Sequence, residues 1–239
     1  MRHIWEKYNE LVEDYRHTPK YSDIYKLRKE TTIPIKHVWH EDKGFRKTII
    51  LNMAIAQITG DYILQVDGDV VLSSHFVSDH LELAEKNYFV CGSRVKLSPE
   101  VTHRIMASKN FKLNIWNMPT SFLLNSFRSK LLRHYMALRY AKKIDHLRGC
   151  NMAFWKEDLI KVNGYNEDLM QWGHEDGEIA FRLHFAGVKK KALKMGGAVY
   201  HLYHKEASRD NEQRHFTELE KVKKEHLSWC ENGIDKYLR

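Results

Sequence analysis

Short apolar runs alternate with stretches of helical periodicity along most of the chain. Strand-like runs lie at 35–40, 62–72, 88–91, 151–155 and 198–204. Apolar residues at helical spacing predict helices over 3–16, 45–58, 74–86, 156–162, 176–186 and 206–229. This alternation of strands and helices is typical of an α/β protein in which helices cover both faces of a mostly parallel sheet.

The run 62–72 is the most informative of these segments. It predicts a buried strand that ends in Asp67 and Asp69 with Gly68 between them. Residues two apart in a strand face the same side, so both carboxylates can converge on one ligand. Carboxylate oxygens at a strand end suit Mg²⁺ or Mn²⁺ that also holds substrate phosphates. The same pattern arises when a strand simply runs into an acidic turn.

Two other segments carry candidate chemistry. Glu175 and Asp176 begin a predicted helix and offer a general base, although carboxylates also occur at helix starts for purely electrostatic reasons. The predicted strand 198–204 delivers His201 and His204, either of which could complete a metal site. A structural or solvated role for each histidine stays open.

Residues 101–144 form a basic segment without a single Asp or Glu. Within it, apolar residues recur at helical spacing: Leu124, Phe127, Leu131, Tyr135 and Leu138. We expect this stripe to pack against the protein and the basic face to be solvated. The alternative is a basic amphipathic helix that lies on an anionic membrane or grips an anionic substrate.

Composition narrows the class of partner and the compartment. The 239 residues carry 39 Lys+Arg against 31 Asp+Glu, and the resulting charge of +8 favours polyanionic partners. No finger, RRM or helix-turn-helix pattern occurs, so we expect no nucleic-acid partner. No run reaches the ~20 apolar residues of a membrane span, and the N-terminus lacks the apolar core of a signal peptide. Three cysteines form neither a disulfide framework nor a CxxC pattern, which favours the cytoplasm.

Several motifs together resemble a known family. The runs Gly149–Asp158, Val162–Glu167 and Trp172–Glu178 resemble the galactosyltransferase-type C-terminal region of glycosyltransferase family 2, including bacterial chondroitin-polymerase-like members. Upstream, Gly44–Lys47 and the Asp67-Gly68-Asp69 motif match the same family in the same order. The resemblance covers roughly residues 33–205.

The resemblance implies a GT-A fold and an inverting, metal-dependent transfer from a UDP-sugar to a glycan or lipid-linked acceptor, with Mn²⁺ or Mg²⁺ as cofactor. Surface polysaccharide synthesis, at the inner face of a membrane, is the implied setting. The resemblance implies that Asp176 is the catalytic base and that the acceptor is bound by Glu175, Trp172 and Asn151. It implies that the donor is bound by Phe45, Arg46, Lys47 and Asp67. It also implies that the metal is held by Asp67, Asp69 and His201, with His204 as substitute for His201.

The resemblance also implies a domain plan. One domain would span 1–239, with a donor and metal half (33–100), a basic helical insertion (101–147), an acceptor half (148–205) and a helical tail (206–239). The family's opening strands have no counterpart in the sequence, so we expect a sheet without them. Two alternatives stay open: a catalytically inactive or truncated relative that binds sugar nucleotide or a partner, and a haloacid-dehalogenase-like phosphatase, whose opening motif also fits Asp67-Gly68-Asp69.

Overall fold

The computed structural model describes residues 10–12, 21–41, 43–111, 127–170, 173–205 and 212–238. These residues fall into two compact units. The first unit holds 64–111, 127–153 and 190–205. The second holds 10–12, 21–41, 43–63, 154–170, 173–189 and 212–238.

Strands and helices alternate along the chain, as the periodicity predicts. The strands are β1 (Glu10–Val12), β2 (Lys36–Val38), β3 (Tyr62–Val66), β4 (Val70–Leu72), β5 (Tyr88–Cys91), β6 (Arg94–Lys96), β7 (Asn151–Trp155), β8 (Lys189–Ala192) and β9 (Val199–His201). The helices are α1 (Tyr21–Glu30), α2 (Lys47–Gln57), α3 (Phe76–Leu83), α4 (Pro99–Ser108), α5 (Lys130–Arg139), α6 (Lys156–Lys161), α7 (Glu175–Phe185) and α8 (Glu212–Glu225), with a 3₁₀ turn at Ile234–Tyr237.

The sheets of the described residues contain both parallel and antiparallel strand pairs. One sheet has the strand order β3-β7-β5-β8 and another the order β4-β9-β6, while β1 pairs with β2. The β1–β2 and β6–β9 pairs are parallel, whereas β4–β9 and β5–β7 are antiparallel. Periodicity shows which segments are strands, but the direction of pairing depends on the path of the chain between them.

The apolar run 62–72 is two strands rather than one. β3 ends at Val66 and β4 begins at Val70, and the two belong to different sheets. The three residues between them form a turn, as expected for a glycine flanked by aspartates. Because the residues on both sides are apolar, hydrophobicity alone could not reveal the break.

The N-terminal helix predicted over 3–16 is corrected to a strand where the structure describes it. Residues 10–12 form β1, which pairs in parallel with β2. Leu11 and Val12 fit both a helical and an extended pattern, and strand pairing decides between them. The other residues of that predicted helix lie outside the described part of the chain.

Each unit has its own apolar core. In the first, Val71, Val95, Leu97, Ile105 and Tyr200 pack together and hold β4, β6, β9 and α4 in place. In the second, Val38, Ile50 and Ala54 join β2 to α2.

The helix α5 reverses the expected orientation of the basic segment. Arg133 and Ala137 are buried, whereas Leu131, Tyr135 and Leu138 of the apolar stripe are exposed. The interpretation of a packed stripe with a solvated basic face is therefore corrected. The reason is that Arg133 pairs with the buried Asp79 and the partly buried Glu82, contacts that periodicity cannot predict. Leu124 lies outside the described residues.

Candidate metal centre and catalytic residues

Strand pairing in the first unit brings three potential metal ligands together. Val70 of β4 pairs with His201 of β9, so Asp69 lies beside the end of β9. The amide of Leu202 donates to the Asp69 carbonyl at 2.9 Å and ties the two strand ends together. One ligand atom from each of Asp69, His201 and His204 lies within 4.8 Å of the others.

Both imidazoles present the same nitrogen to the carboxylate. Nε2 of His204 lies 3.0 Å, and Nε2 of His201 3.4 Å, from Oδ2 of Asp69. Nδ1 of His201 donates to the Leu202 carbonyl at 2.9 Å, and Nδ1 of His204 donates to the Lys205 carbonyl at the same distance. A donating Nδ1 leaves the lone pair on Nε2, which is how backbone carbonyls orient metal-binding histidines.

The electrostatics of this cluster fit a divalent cation. Burial lowers the pKa of His201, Asp69 partly opposes that effect, and Arg94 adds to it, so the imidazole is neutral near pH 7. Oδ1 of Asp69 is buried and has no hydrogen-bond partner among the described residues. Lone pairs of two imidazoles and one carboxylate therefore converge, an arrangement that suits a cation. Two nitrogens and one oxygen are ligands that Mn²⁺ accepts more readily than Mg²⁺.

Both histidines lie in the cluster with Asp69, whereas the sequence analysis gave His204 only as a substitute for His201. Their spacing of three residues at the end of one strand was the available signal. Asp67 is half-buried on the other side of the turn and is not part of the three-residue cluster. Its assignment to the metal and the donor stays a prediction.

The acidic pair lies in the second unit, at the first turn of α7. Nζ of Lys47, the first residue of α2, lies 3.6 Å from Oε1 of Glu175 and 4.0 Å from Oδ1 of Asp176. The amide of Gly173 donates to Oε2 of Glu175 at 3.2 Å. The ammonium group and the helix N-terminus both favour negative charge on this pair. Glu175 is nearly buried, and Asp176 is the more exposed carboxylate.

Three of the four predicted donor residues lie at the start of α2: Phe45, Arg46 and Lys47. Arg46 immediately precedes the helix, and its Nη2 contacts Nδ1 of His40 at 3.2 Å and donates to the Glu41 carbonyl. Phe45 is half-buried beside it. Lys47 instead joins the acidic pair, a contact that sequence spacing did not indicate. Their roles toward a nucleotide stay predictions, and Trp172 lies outside the described residues.

Asn151, the predicted acceptor ligand, is fully buried in the first unit. Its Nδ2 donates to the carbonyls of Ser93 and Gly197, both at 2.9 Å, and its Oδ1 accepts from Nε2 of His80 at 2.8 Å. A Cβ atom on Gly92 would lie 2.2 Å from the Asn151 amide. These bonds hold the buried side chain within the first unit, and its role toward an acceptor stays a prediction.

Comparison with known proteins decides the family. The profile of glycosyl transferase family 2 matches residues 12–162, more than half of the chain. The chain belongs to glycosyltransferase family 2. A second profile, described as the N-terminal domain of galactosyltransferase, matches residues 130–205 of this family 2 chain.

Two chondroitin synthases are among its relatives. The chain is 31% identical over 189 residues to the chondroitin synthase of Pasteurella multocida and 24% identical over 187 residues to that of Escherichia coli. Each match covers 72% of this chain but only 19% and 27%, respectively, of those proteins. The chain therefore spans about a fifth to a quarter of the length of these relatives.

Similar solved structures are GT-A glycosyltransferases, which confirms the predicted fold class. S. aureus TarS gives a TM-score of 0.56 at 14% identity over 89% of this chain and 32% of its own. The Pyrobaculum calidifontis mannosyltransferase PcManGT, solved with GDP-Man and Mn²⁺, gives a TM-score of 0.54 at 16% identity over 85% of this chain and 52% of its own. GalNAc-T7, solved with UDP, GalNAc and Mn²⁺, gives a TM-score of 0.55 at 12% identity over 89% of this chain and 41% of its own.

Across the described residues, no helix has the length and apolar character that crossing a membrane requires.

Proposed function

We propose that this family 2 chain is a metal-dependent inverting glycosyltransferase that moves a sugar from a UDP-sugar to a glycan or lipid-linked acceptor in surface polysaccharide synthesis. The observation that carries the proposal is the convergence of Asp69, His201 and His204 in a chain of this family. GalNAc-T7 with UDP and Mn²⁺, and TarS with UDP-GlcNAc, support a UDP-sugar donor, while PcManGT with GDP-Man makes the nucleotide worth testing.

In this proposal the three ligands hold a divalent cation, which when bound neutralises charge on the diphosphate leaving group. Asp176 takes the proton of the acceptor hydroxyl. The acceptor oxygen bonds to the anomeric carbon while the bond from that carbon to the phosphate oxygen breaks, and UDP leaves. One displacement inverts the configuration without a protein nucleophile. Lys47, which lies beside both acids, stabilises the ionised form of Asp176 that can accept the proton.

Asp69→Asn tests the metal site. We expect calorimetric titration of UDP in the presence of Mn²⁺ to show binding to the natural chain and none to the variant, because one charged ligand is lost. Glu41→Gln, at an exposed residue of the second unit, is the matched control and should bind as the natural chain does. Undiminished Mn²⁺-dependent binding by Asp69→Asn would refute the proposed site.

Asp176→Asn tests the base. We expect donor binding to persist while transfer to a glycan acceptor falls by ~10² or more, the usual size of a general-base contribution. Transfer close to that of the natural chain would remove Asp176 from this role. If the natural chain binds UDP and Mn²⁺ but transfers no sugar from a panel of donors, the inactive relative is the better description. Membership of family 2 speaks against the phosphatase alternative.

The proposed setting is the cytoplasm, at the inner face of a membrane where lipid-linked acceptors are elongated. The excess of basic residues supports a location near anionic lipid.

A further inference from the structure

One face of α5 exposes large apolar side chains to solvent. Leu131, Tyr135 and Leu138 are 82%, 63% and 58% exposed, and their spacing places them on one side of the helix. We call these three residues the α5 face. Phe127, just before the helix, and Tyr140, just after it, are also exposed. Several large apolar side chains exposed on one side of a helix are typical of an interaction site.

Buried charge fixes the helix in this orientation. Arg133 is fully buried on the opposite side, where its guanidinium lies 2.9 Å from Oδ1 of Asp79 and 2.7 Å from Oε2 of Glu82. It also donates to the Met195 carbonyl. Arg128 adds a second bond to Asp79 at 2.9 Å. Rotating α5 to bury its apolar face would break the ion pairs of Arg133 with Asp79 and Glu82. Because a buried carboxylate without its partner destabilises the fold, the apolar face stays exposed.

The surroundings of the α5 face are strongly basic. Lys130, Arg139, Lys142 and Lys143 are all exposed at or near the helix. Asp145 is the only acidic residue between 127 and 148. An apolar stripe bordered by lysine and arginine is the pattern of a helix that lies in the plane of a membrane interface.

We propose that the α5 face is a docking surface for an anionic lipid membrane. Leu131, Tyr135 and Leu138 enter the boundary between headgroups and acyl chains, while the bordering cations contact lipid phosphates. A second copy of the chain is a poorer occupant, because a two-fold contact through this face would bring the basic borders of both copies together. The inference rests on the proposed function for its membrane-side acceptor, but its test measures binding and not sugar transfer.

Sedimentation of the full chain with vesicles tests the proposal. We expect binding to vesicles of phosphatidylcholine with 30% phosphatidylserine, little binding to pure phosphatidylcholine, and weaker binding as NaCl is raised. Leu131→Ser with Leu138→Ser should abolish binding, because both side chains are exposed and contribute the apolar contact. Lys142→Gln with Lys143→Gln should weaken it roughly tenfold to thirtyfold.

The matched controls are changes at equally exposed positions elsewhere. Met106→Ser on α4 controls for the leucines, and Lys221→Gln with Lys224→Gln on α8 controls for the lysines. Both should bind vesicles as the natural chain does. UDP binding with Mn²⁺, measured on every variant, separates loss of docking from failure of the proposed function.

Three results would overturn the docking proposal. These are no sedimentation of the natural chain, equal binding to neutral vesicles, or equal loss of binding in the control variants. A natural chain that is a dimer by light scattering, and that Leu131→Ser with Leu138→Ser converts to a monomer without any effect of lipid, would assign the face to self-association instead.

Discussion

Single residues in this chain show how burial decides which chemistry a side chain can perform. His201 is half-buried at the end of β9, and its lowered pKa keeps it neutral and able to coordinate. His80 of α3 is completely buried, and its Nε2 donates to Oδ1 of Asn151 at the start of β7. The sequence presents His80 simply as a histidine within a predicted helix and His201 as a histidine within a predicted strand. Their different environments arise from the fold and could not be predicted from spacing.

His80 makes the stability of the fold depend on pH. Burial lowers its pKa to about 4, against the opposing effects of its hydrogen bond to Asn151 and of Asp79. The unfolded chain, with an ordinary histidine pKa near 6.5, binds a proton that the folded chain excludes. Stability is therefore lost as pH falls from about 6.5 towards 4, and His80 contributes roughly 2 kcal/mol of loss between pH 7 and pH 5.

Urea unfolding at pH 7 and pH 5 checks this prediction. The difference in the free energy of unfolding between the two pH values should shrink by that amount in His80→Gln, whatever the absolute stability of the variant. His75→Gln, at an exposed position just before the same helix, should keep the full difference. An unchanged pH dependence in His80→Gln would show that this histidine is not the group responsible.

At the scale of elements, periodicity located most helices and strands but not their partners. α2, β5, β7 and α6 lie close to their predicted positions because each has a clear apolar pattern and a clear end. The second strand of the run 62–72, β4, and the strand β8 were missed, since β4 follows β3 after only three residues and lysines dominate β8. Lys190 and Lys191 of β8 are buried. Their ammonium groups donate to backbone carbonyls, and that of Lys191 also donates to Glu85.

The helix α8 supports the chain before the acidic motif. His215 is fully buried, with Nε2 donating to the Met170 carbonyl at 2.7 Å and Nδ1 against the Gly173 carbonyl. His215→Ala would remove both contacts, one of which a neutral imidazole makes as a hydrogen-bond donor, and we expect it to lower the free energy of unfolding by roughly 2 kcal/mol.

Chemical denaturation gives the measurement for this change. Arg214→Ala, at the exposed neighbouring position on α8, is the control and should stay within about 0.5 kcal/mol of the natural chain. Equal stability of the two variants would mean that α8 does not hold this segment through His215.

At the scale of the whole molecule, the GT-A fold and family 2 membership were predictable because several motifs occur in the family's order. The chemistry within each unit was less predictable. The first unit gathers Asp69, His201 and His204, and the second pairs Lys47 with the two acids of α7. Contacts of this kind join residues more than a hundred positions apart, and sequence spacing has no information about such distances.

The cluster in the first unit predicts that a metal stabilises the chain. A ligand that binds only the folded state at a hundred times its dissociation constant adds about 2.7 kcal/mol of stability. We therefore expect Mn²⁺ to raise Tm by several degrees and EDTA to reverse the rise. Mg²⁺ should have the smaller effect, because two imidazoles favour the transition metal.

His204→Ala should reduce the thermal shift with Mn²⁺, and Asp69→Asn should remove it. His103→Ala, at an exposed histidine of α4, should leave the shift intact. A shift of equal size in Asp69→Asn would place the bound metal elsewhere.

The register of β4 with β9 determines whether the candidate metal ligands meet. Val70 faces His201 across the pair, and successive residues of a strand point to opposite sides. Sliding β9 by one position would turn the imidazole of His201 away from the carboxylate and would also turn Tyr200 away from the core of the first unit. Under the proposed metal assignment, cation affinity would distinguish correctly aligned molecules from misaligned ones, and the stoichiometry of a preparation for Mn²⁺ would report the fraction of chains whose strands are in register.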